Sequence, residues 1–147
     1  MSITPAQAVL LLFFLDSKKS LDPIRIMKGL FIFTMEAPEV WMPRSNRYQF
    51  VPYSYGPYAR QVDLDLSRLK LQGLLTSAPA LGRNWDYYSL TEEGAAKALE
   101  LKRTLNPKAV EYLHQVREFV LSLSFSKLLD TVYARYPAYA VKSVFKR

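Results

Sequence analysis

Eight consecutive apolar residues, Ala8 to Leu15 (AVLLLFFL), limit what this chain can fold into more than any other feature. They follow Thr4-Pro5-Ala6-Gln7, which reads as a capping box: Thr4 as N-cap, Pro5 at the first helical position, Gln7 reaching back. The helix so begun is apolar nearly all round until Asp16. A helix without a polar face belongs at the centre of a core. The run is too short for a membrane span, which needs about 20 apolar residues. Met1 to Gln7 has no basic side chain, so a secretory signal is not expected either. The chain has no cysteine. That excludes disulfide frameworks, thiolate metal sites and cysteine nucleophiles, and fits a cytoplasmic protein with no membrane association.

With 147 residues, one compact domain is the default. A polar break, Ser17 to Ser20, precedes a second helix start at Asp22-Pro23, where Asp22 can cap. Ile24, Met27, Leu30 and Phe31 then recur at helical spacing, and the helix should end before Pro38. Glu39 to Arg47 reads as a loop and Tyr48 to Val51 as a short strand. Gly56-Pro57 predicts the start of a third helix, with Tyr58, Val62, Leu66, Leu69 and Gly73 on one face. Leu74–Ser77 and Trp85–Leu90 read as two strands of a hairpin around the turn-rich Ala78 to Asn84. Thr91 caps a helix whose Glu92 and Glu93 complement the helix dipole; it should run to about Thr104. Asn106-Pro107 starts another helix, with Val110, Leu113, Val116, Val120 and Leu123 as its stripe. Shorter helices are expected from Ser126 through Tyr136 and from Tyr139 to Phe145.

The fold class is therefore mainly α with a small β-hairpin. Helix, helix, short strand, helix and hairpin in that order suggest a winged helix-turn-helix over residues 1–104. Residues 105–147 form a C-terminal helical extension, packed on that domain or at a dimer interface.

Two motifs carry a family resemblance. YSLTEEG, Tyr88 to Gly94, resembles the "Y-x-L-T-x-x-G" that leaves the second wing strand in many prokaryotic winged-helix regulators. The longer one, Tyr48 to Leu75, resembles the YwgA-like proteins and, more loosely, the phage-associated SocA-like antitoxins. Its matching positions are Phe50, Tyr55, Gly56, Pro57, Asp65, Leu66, Leu69, Gly73 and Leu74. YARYPAYAVKS, Tyr133 to Ser143, is similar to the "YP-x-Y-A-x-x-S" segment of the YwgA-like set. The resemblance implies a fold more than an activity.

Twenty Lys and Arg against thirteen Asp and Glu leave a net charge of +7, which favours polyanions such as nucleic acid. In a winged helix the helix before the hairpin enters the major groove. Opposite its apolar face lie Arg60, Leu64, Ser67, Arg68 and Leu71, with Gln61 on a flank; Arg60, Gln61, Ser67 and Arg68 are candidate contacts to phosphates or base edges. Arg83 and Asn84 are candidates at the wing tip. Lys18, Lys19, Arg25 and Lys28 surround a helix N-terminus suited to phosphate. Asp63 and Asp65 count against DNA on the same helix, and Leu64 and Leu71 are odd on a DNA-facing surface. His114, the one histidine, lies opposite its helix's apolar stripe and should face solvent. No metal pair, phosphate loop or nucleophile elbow is present, so neither an enzyme nor a cofactor is expected. The tyrosines read as scaffold, with Tyr53 and Tyr55 unassigned.

The expected partner is double-stranded DNA, bound as a homodimeric transcriptional regulator. The alternative is a protein partner, with the same fold serving as an antitoxin-like or defence-system interaction module. The case for a homodimer is the apolar surface of the extension, at Phe119, Phe125, Leu128 and Leu129.

Overall fold

A computed structural model describes residues 2–144. Helix α1 (Pro5–Phe14) begins at the expected capping box: Thr4 accepts from the Gln7 N–H and Gln7 returns a bond to the Thr4 N–H. Its side chains from Gln7 to Leu15 are all buried, and Leu10 to Phe13 have no exposed surface. Helix α2 (Pro23–Glu36) is capped by Asp22. Gly29 on α2 lies against the Phe13 ring, where a Cβ would fall 2.3 Å from Cζ.

The end of α1 leaves carbonyls that the helix itself cannot pair. Side chains of helix α5 (Pro107–Leu121) supply the missing donors. The His114 ring nitrogen lies 2.9 Å from the Leu12 carbonyl. Arg117 donates to the carbonyls of Phe13 and Leu15. The expected solvent exposure of His114 is thus corrected. It is partly buried against α1, and burial holds its pKa below the ordinary range.

The stretch between α2 and the next helix departs from expectation. Arg47 and Tyr48 are buried, the strand comes later than foreseen, and Pro57 does not start a helix. Strands β1 (Val51–Tyr53) and β2 (Gly56–Tyr58) form a small antiparallel hairpin instead. Tyr53 faces Gly56, and Pro52 faces Pro57. Gly56 has φ +89°, and a Cβ there would sit 2.8 Å from the Tyr133 ring. Two constraints thus require glycine, a left-handed backbone and a close neighbour. Lys28 reaches across to donate to the Pro57 carbonyl at 3.0 Å. With this segment extended, helix α3 starts at Arg60 and runs to Leu71.

Val62, Leu66 and Leu69 bury the expected face of α3. Gly73, at φ +79°, turns the chain into β3 (Leu75–Pro79), which pairs with β4 (Asp86–Leu90). On the other side of β4, Leu21 and Tyr88 exchange two backbone hydrogen bonds of 2.8 Å. The YSLTEEG motif then acts as a latch. Thr91 caps α4 (Glu92–Lys102) by accepting from the Gly94 N–H, and its hydroxyl donates to the Gly73 carbonyl. A Cβ on Gly94 would fall 1.9 Å from the Leu74 carbonyl oxygen, so only glycine permits this approach.

Helix α5 lies along α2 and α1, and Val110, Leu113, Val116 and Val120 join the same core as α1. Helix α6 (Phe125–Arg135) is followed by a 3-10 turn at Pro137–Ala140. That turn replaces the helix expected from Tyr139; the last residue of that expectation, Phe145, lies outside the described residues. Tyr136 and Tyr139 pack edge-on against Phe31, as does Phe50. Tyr133 donates to Ser143, and the Val144 N–H donates to the Ser54 carbonyl, which ties the tail to the first hairpin. No helix among the described residues is long and apolar enough to cross a membrane.

Candidate nucleic-acid interface

Helix α3 turns Arg60, Gln61, Leu64, Ser67, Arg68, Lys70 and Leu71 to the outside. Of its two acids, Asp65 is withdrawn from that face and Asp63 is half-buried and tied to a tyrosine. Asp65 is 1% exposed. It accepts from Gln7 at 3.0 Å, Gln61 at 2.9 Å and the Tyr48 hydroxyl at 2.8 Å. Burial and this bond push the Tyr48 phenol far above its ordinary range. Asp63 accepts from the Tyr58 hydroxyl at 2.6 Å. That bond, with burial, pushes Tyr58 up to about 12. The capping residue Gln7 thus acts twice, closing the start of α1 and bracing the acid of α3 from there.

The β3–β4 tip projects Leu81, Gly82, Arg83 and Asn84 into solvent, with Leu81 99% exposed. Gly82 at φ +69° makes the turn, and the Ala80 N–H donates to the Trp85 carbonyl at its base. Trp85 packs edge-on against Tyr87, which stiffens the hairpin behind the tip. Ser77 receives the Lys70 ammonium at 2.7 Å and donates to Asp86 at 3.1 Å. The end of α3 is therefore linked to the hairpin through side chains. Arg83, Asn84 and Trp85 also wall a cleft of about 550 Å³ reaching Pro23, Tyr55 and Phe125.

The structure divides the ten candidate residues. Arg60, Gln61, Ser67 and Arg68 share the outer side of α3, and Arg83 and Asn84 share the hairpin tip. Lys18 and Lys19 are exposed in the turn before Leu21, on the sheet edge opposite β3. Arg25 and Lys28 need correction. Arg25 donates to Asp22 and to the carbonyls of Val120 and Leu123 at the end of α5. Lys28 is 3% exposed and bound to Pro57. Burial lowers its pKa to about 8, against an opposing effect of Asp63. Lys28 serves the interior, and Arg25, half-buried, holds the end of α5 while lining the same cleft as Arg83 and Asn84.

The parts played by Tyr48, Arg47 and Arg117 are not foreseen from the sequence, where Arg47 reads as a basic residue flanking the short strand and Tyr48 as part of that strand's aromatic face. Arg47 donates to the carbonyls of Thr34, Ala37, Pro38 and Met42 and closes the end of α2. These contacts are set by tertiary placement, and no local spacing announces them. Among the described residues no group of three or more His, Cys, Asp or Glu could hold a metal ion. No protein-family model matches the chain, and a search of curated proteins finds no match.

Proposed function

We propose that this is a winged-helix protein that binds duplex DNA through the outer side of α3 and the β3–β4 tip. The observation that carries the reading is the burial of Asp65, which leaves the half-buried, Tyr58-bound Asp63 as the one acid near the outer side of α3. Asp65 is buried and Asp63 is engaged by Tyr58, which leaves Arg60, Gln61, Ser67 and Arg68 outward. Phosphate contacts would come from the arginines, with Gln61 and Ser67 near base edges. The element order supports the same reading: α1, the Leu21 bridge, α2, α3, then a hairpin with an exposed arginine at its tip. A residue stretch from Ala37 to Ala59, including the first hairpin, separates α2 from α3. The reading therefore rests on α3 and the wing and not on a tight turn between two helices.

Fluorescence anisotropy with a labelled duplex pool tests it. Affinity should fall steeply between about 50 and 200 mM salt if several phosphates are neutralised. Absence of salt-sensitive binding at micromolar protein defeats it. A homodimer remains part of the proposal, with half-sites about one helical turn apart. Leu128 and Leu129 are buried in the single chain, which leaves Phe119 and Phe125 as the partly exposed apolar residues for pairing. A monomer by sedimentation at high concentration would remove this element.

One observation favours a protein-interaction module instead. Leu64 and Leu71 on α3 are 44% and 89% exposed. Replacing both by Gln should leave duplex affinity within about two-fold under the DNA reading. Loss of a stoichiometric partner in native-host co-purification would favour the alternative.

A further inference from the structure

Away from α3 and the wing, helices α2, α5 and α6 enclose a cleft of about 290 Å³. Its interior is apolar, from Ile32, Val116 and Val132, and its walls include Tyr112, Phe119 and Tyr136. One carboxylate, Glu36, lines it. Glu36 accepts from the Tyr136 hydroxyl and from Arg135 at 2.9 Å. Arg135 is 65% exposed, so it covers Glu36 from the solvent side and can swing away at little cost. Tyr136 is fixed by its contact with Phe31. Phe119, by contrast, is 45% exposed at the wall. Burial and the charge of Glu36 both push the Tyr112 phenol upward, so the carboxylate's field reaches that wall.

Aromatic walls, an apolar interior and one carboxylate make a site for a cation with an apolar body. Ring faces attract positive charge, and the carboxylate supplies its partner. We propose that this cleft binds a small organic cation, an aryl- or alkyl-ammonium. Its charged head takes the place of Arg135 beside Glu36, and its apolar body lies over Ile32 and Val116. The volume suits a single ring with a short substituent. An anionic ligand would bring its charge to Glu36, and the one cation of the lining, Arg135, is already paired to that carboxylate. The site involves none of the candidate DNA contacts and shares only Phe119 with the proposed pairing surface, so it can fail without the α3–hairpin reading failing.

Benzyltrimethylammonium, benzyl alcohol and benzoate present the same ring with positive, zero and negative charge. Each is titrated into the full chain and followed by calorimetry and amide chemical shifts. Benzyltrimethylammonium should saturate, at least ~10-fold tighter than benzoate, with shifts confined to the cleft helices. Glu36→Gln should weaken it at least ~10-fold, with circular dichroism reporting that the fold is kept. Gln115→Glu exchanges an amide that donates to Glu111 for a second carboxylate at the exposed rim and should tighten binding about three-fold. That variant decides the matter if Glu36→Gln fails to fold. Equal binding of benzoate, shifts outside the cleft, or no saturation at tens of millimolar overturns the proposal. So does an affinity unmoved by Gln115→Glu.

Discussion

The basic residues on the α2–α5 side and those on the α3–hairpin side obey different physics. On the first side Arg25, Arg47 and Arg117 point their guanidinium groups at the open carbonyls of α5, α2 and α1, and Lys28 binds the carbonyl of Pro57. Helix C-termini carry partial negative charge and unpaired acceptors, so an inward-turned arginine with several donors suits each one. On the second side Arg60, Arg68 and Arg83 face solvent. A net charge of +7 therefore does not say which cations a polyanion can reach. Formal charge counts both sets alike, but only the outward set can release counterions from a duplex.

The comparison breaks hardest at Arg47. Arg47→Met keeps some apolar volume but removes the guanidinium donors to Thr34, Ala37 and Met42, while Pro38 keeps the Trp41 N–H. The expected loss is about 3 kcal/mol or more, since each buried unpaired acceptor costs roughly 1–3 kcal/mol. Urea unfolding measures it. A loss under about 1 kcal/mol would mean that water replaces the guanidinium and that the interior cations are incidental.

A steric test of similar size falls on the latch between the two sides. Gly94→Ala places a Cβ 1.9 Å from the Leu74 carbonyl oxygen, so α4 must move off the hairpin. A cost of about 2–3 kcal/mol is expected, against a propensity gain of under about 1 kcal/mol for alanine in a helix. A variant as stable as the parent would show that the Thr91 latch is dispensable.

Lys28 gives the comparison a pH axis. Its folded pKa of about 8 lies below the ordinary lysine value of 10.5. The unfolded chain therefore binds more protons between these values, and stability should rise with pH across that window. Below about pH 8 both states are charged and the burial cost is fully present. The total gain is about 3 kcal/mol at most. Tyr48 acts in the opposite sense, because its folded phenol stays protonated above pH 10 while the unfolded one ionises. The clean interval is therefore about pH 8–10. Chemical denaturation of the parent and Lys28→Met across that interval should show a slope in the parent alone. A flat parent curve would place Lys28 in contact with solvent.

Local chemistry made much of this fold legible. Thr4, Asp22, Thr91 and Asn106 cap helices as their spacing predicts, and Val62, Leu66 and Leu69 bury the stripe expected of α3. The Pro57 helix start misled because Gly-Pro suits a strand end as well as a first helical turn. Lys28, Tyr133 and the tail at Val144 decide for the strand, and all three lie far away in sequence. The candidate site was legible in part for the same reason. Exposure of Arg60, Arg68 and Arg83 follows from helical phase and turn position. The fates of Arg25 and Lys28 depend on which helix ends and carbonyls meet them. The withdrawal of Asp65 needs Gln7 and Tyr48, brought together only by packing α1 against α3.

The smallest effect on stability, and the sharpest on binding, belongs to the outward set. Arg60→Ala, Arg68→Ala and Arg83→Ala each remove an exposed side chain, so each should stay within about 0.5 kcal/mol of the parent. If all three meet phosphate, the triple variant should lower the magnitude of the salt slope by about 3. Anisotropy over a salt series reads this directly. A slope changed only by Arg83→Ala would confine contact to the hairpin tip and free α3, with Leu64 and Leu71, for a protein. An unchanged slope in the triple variant would remove the surface cations from the duplex reading altogether.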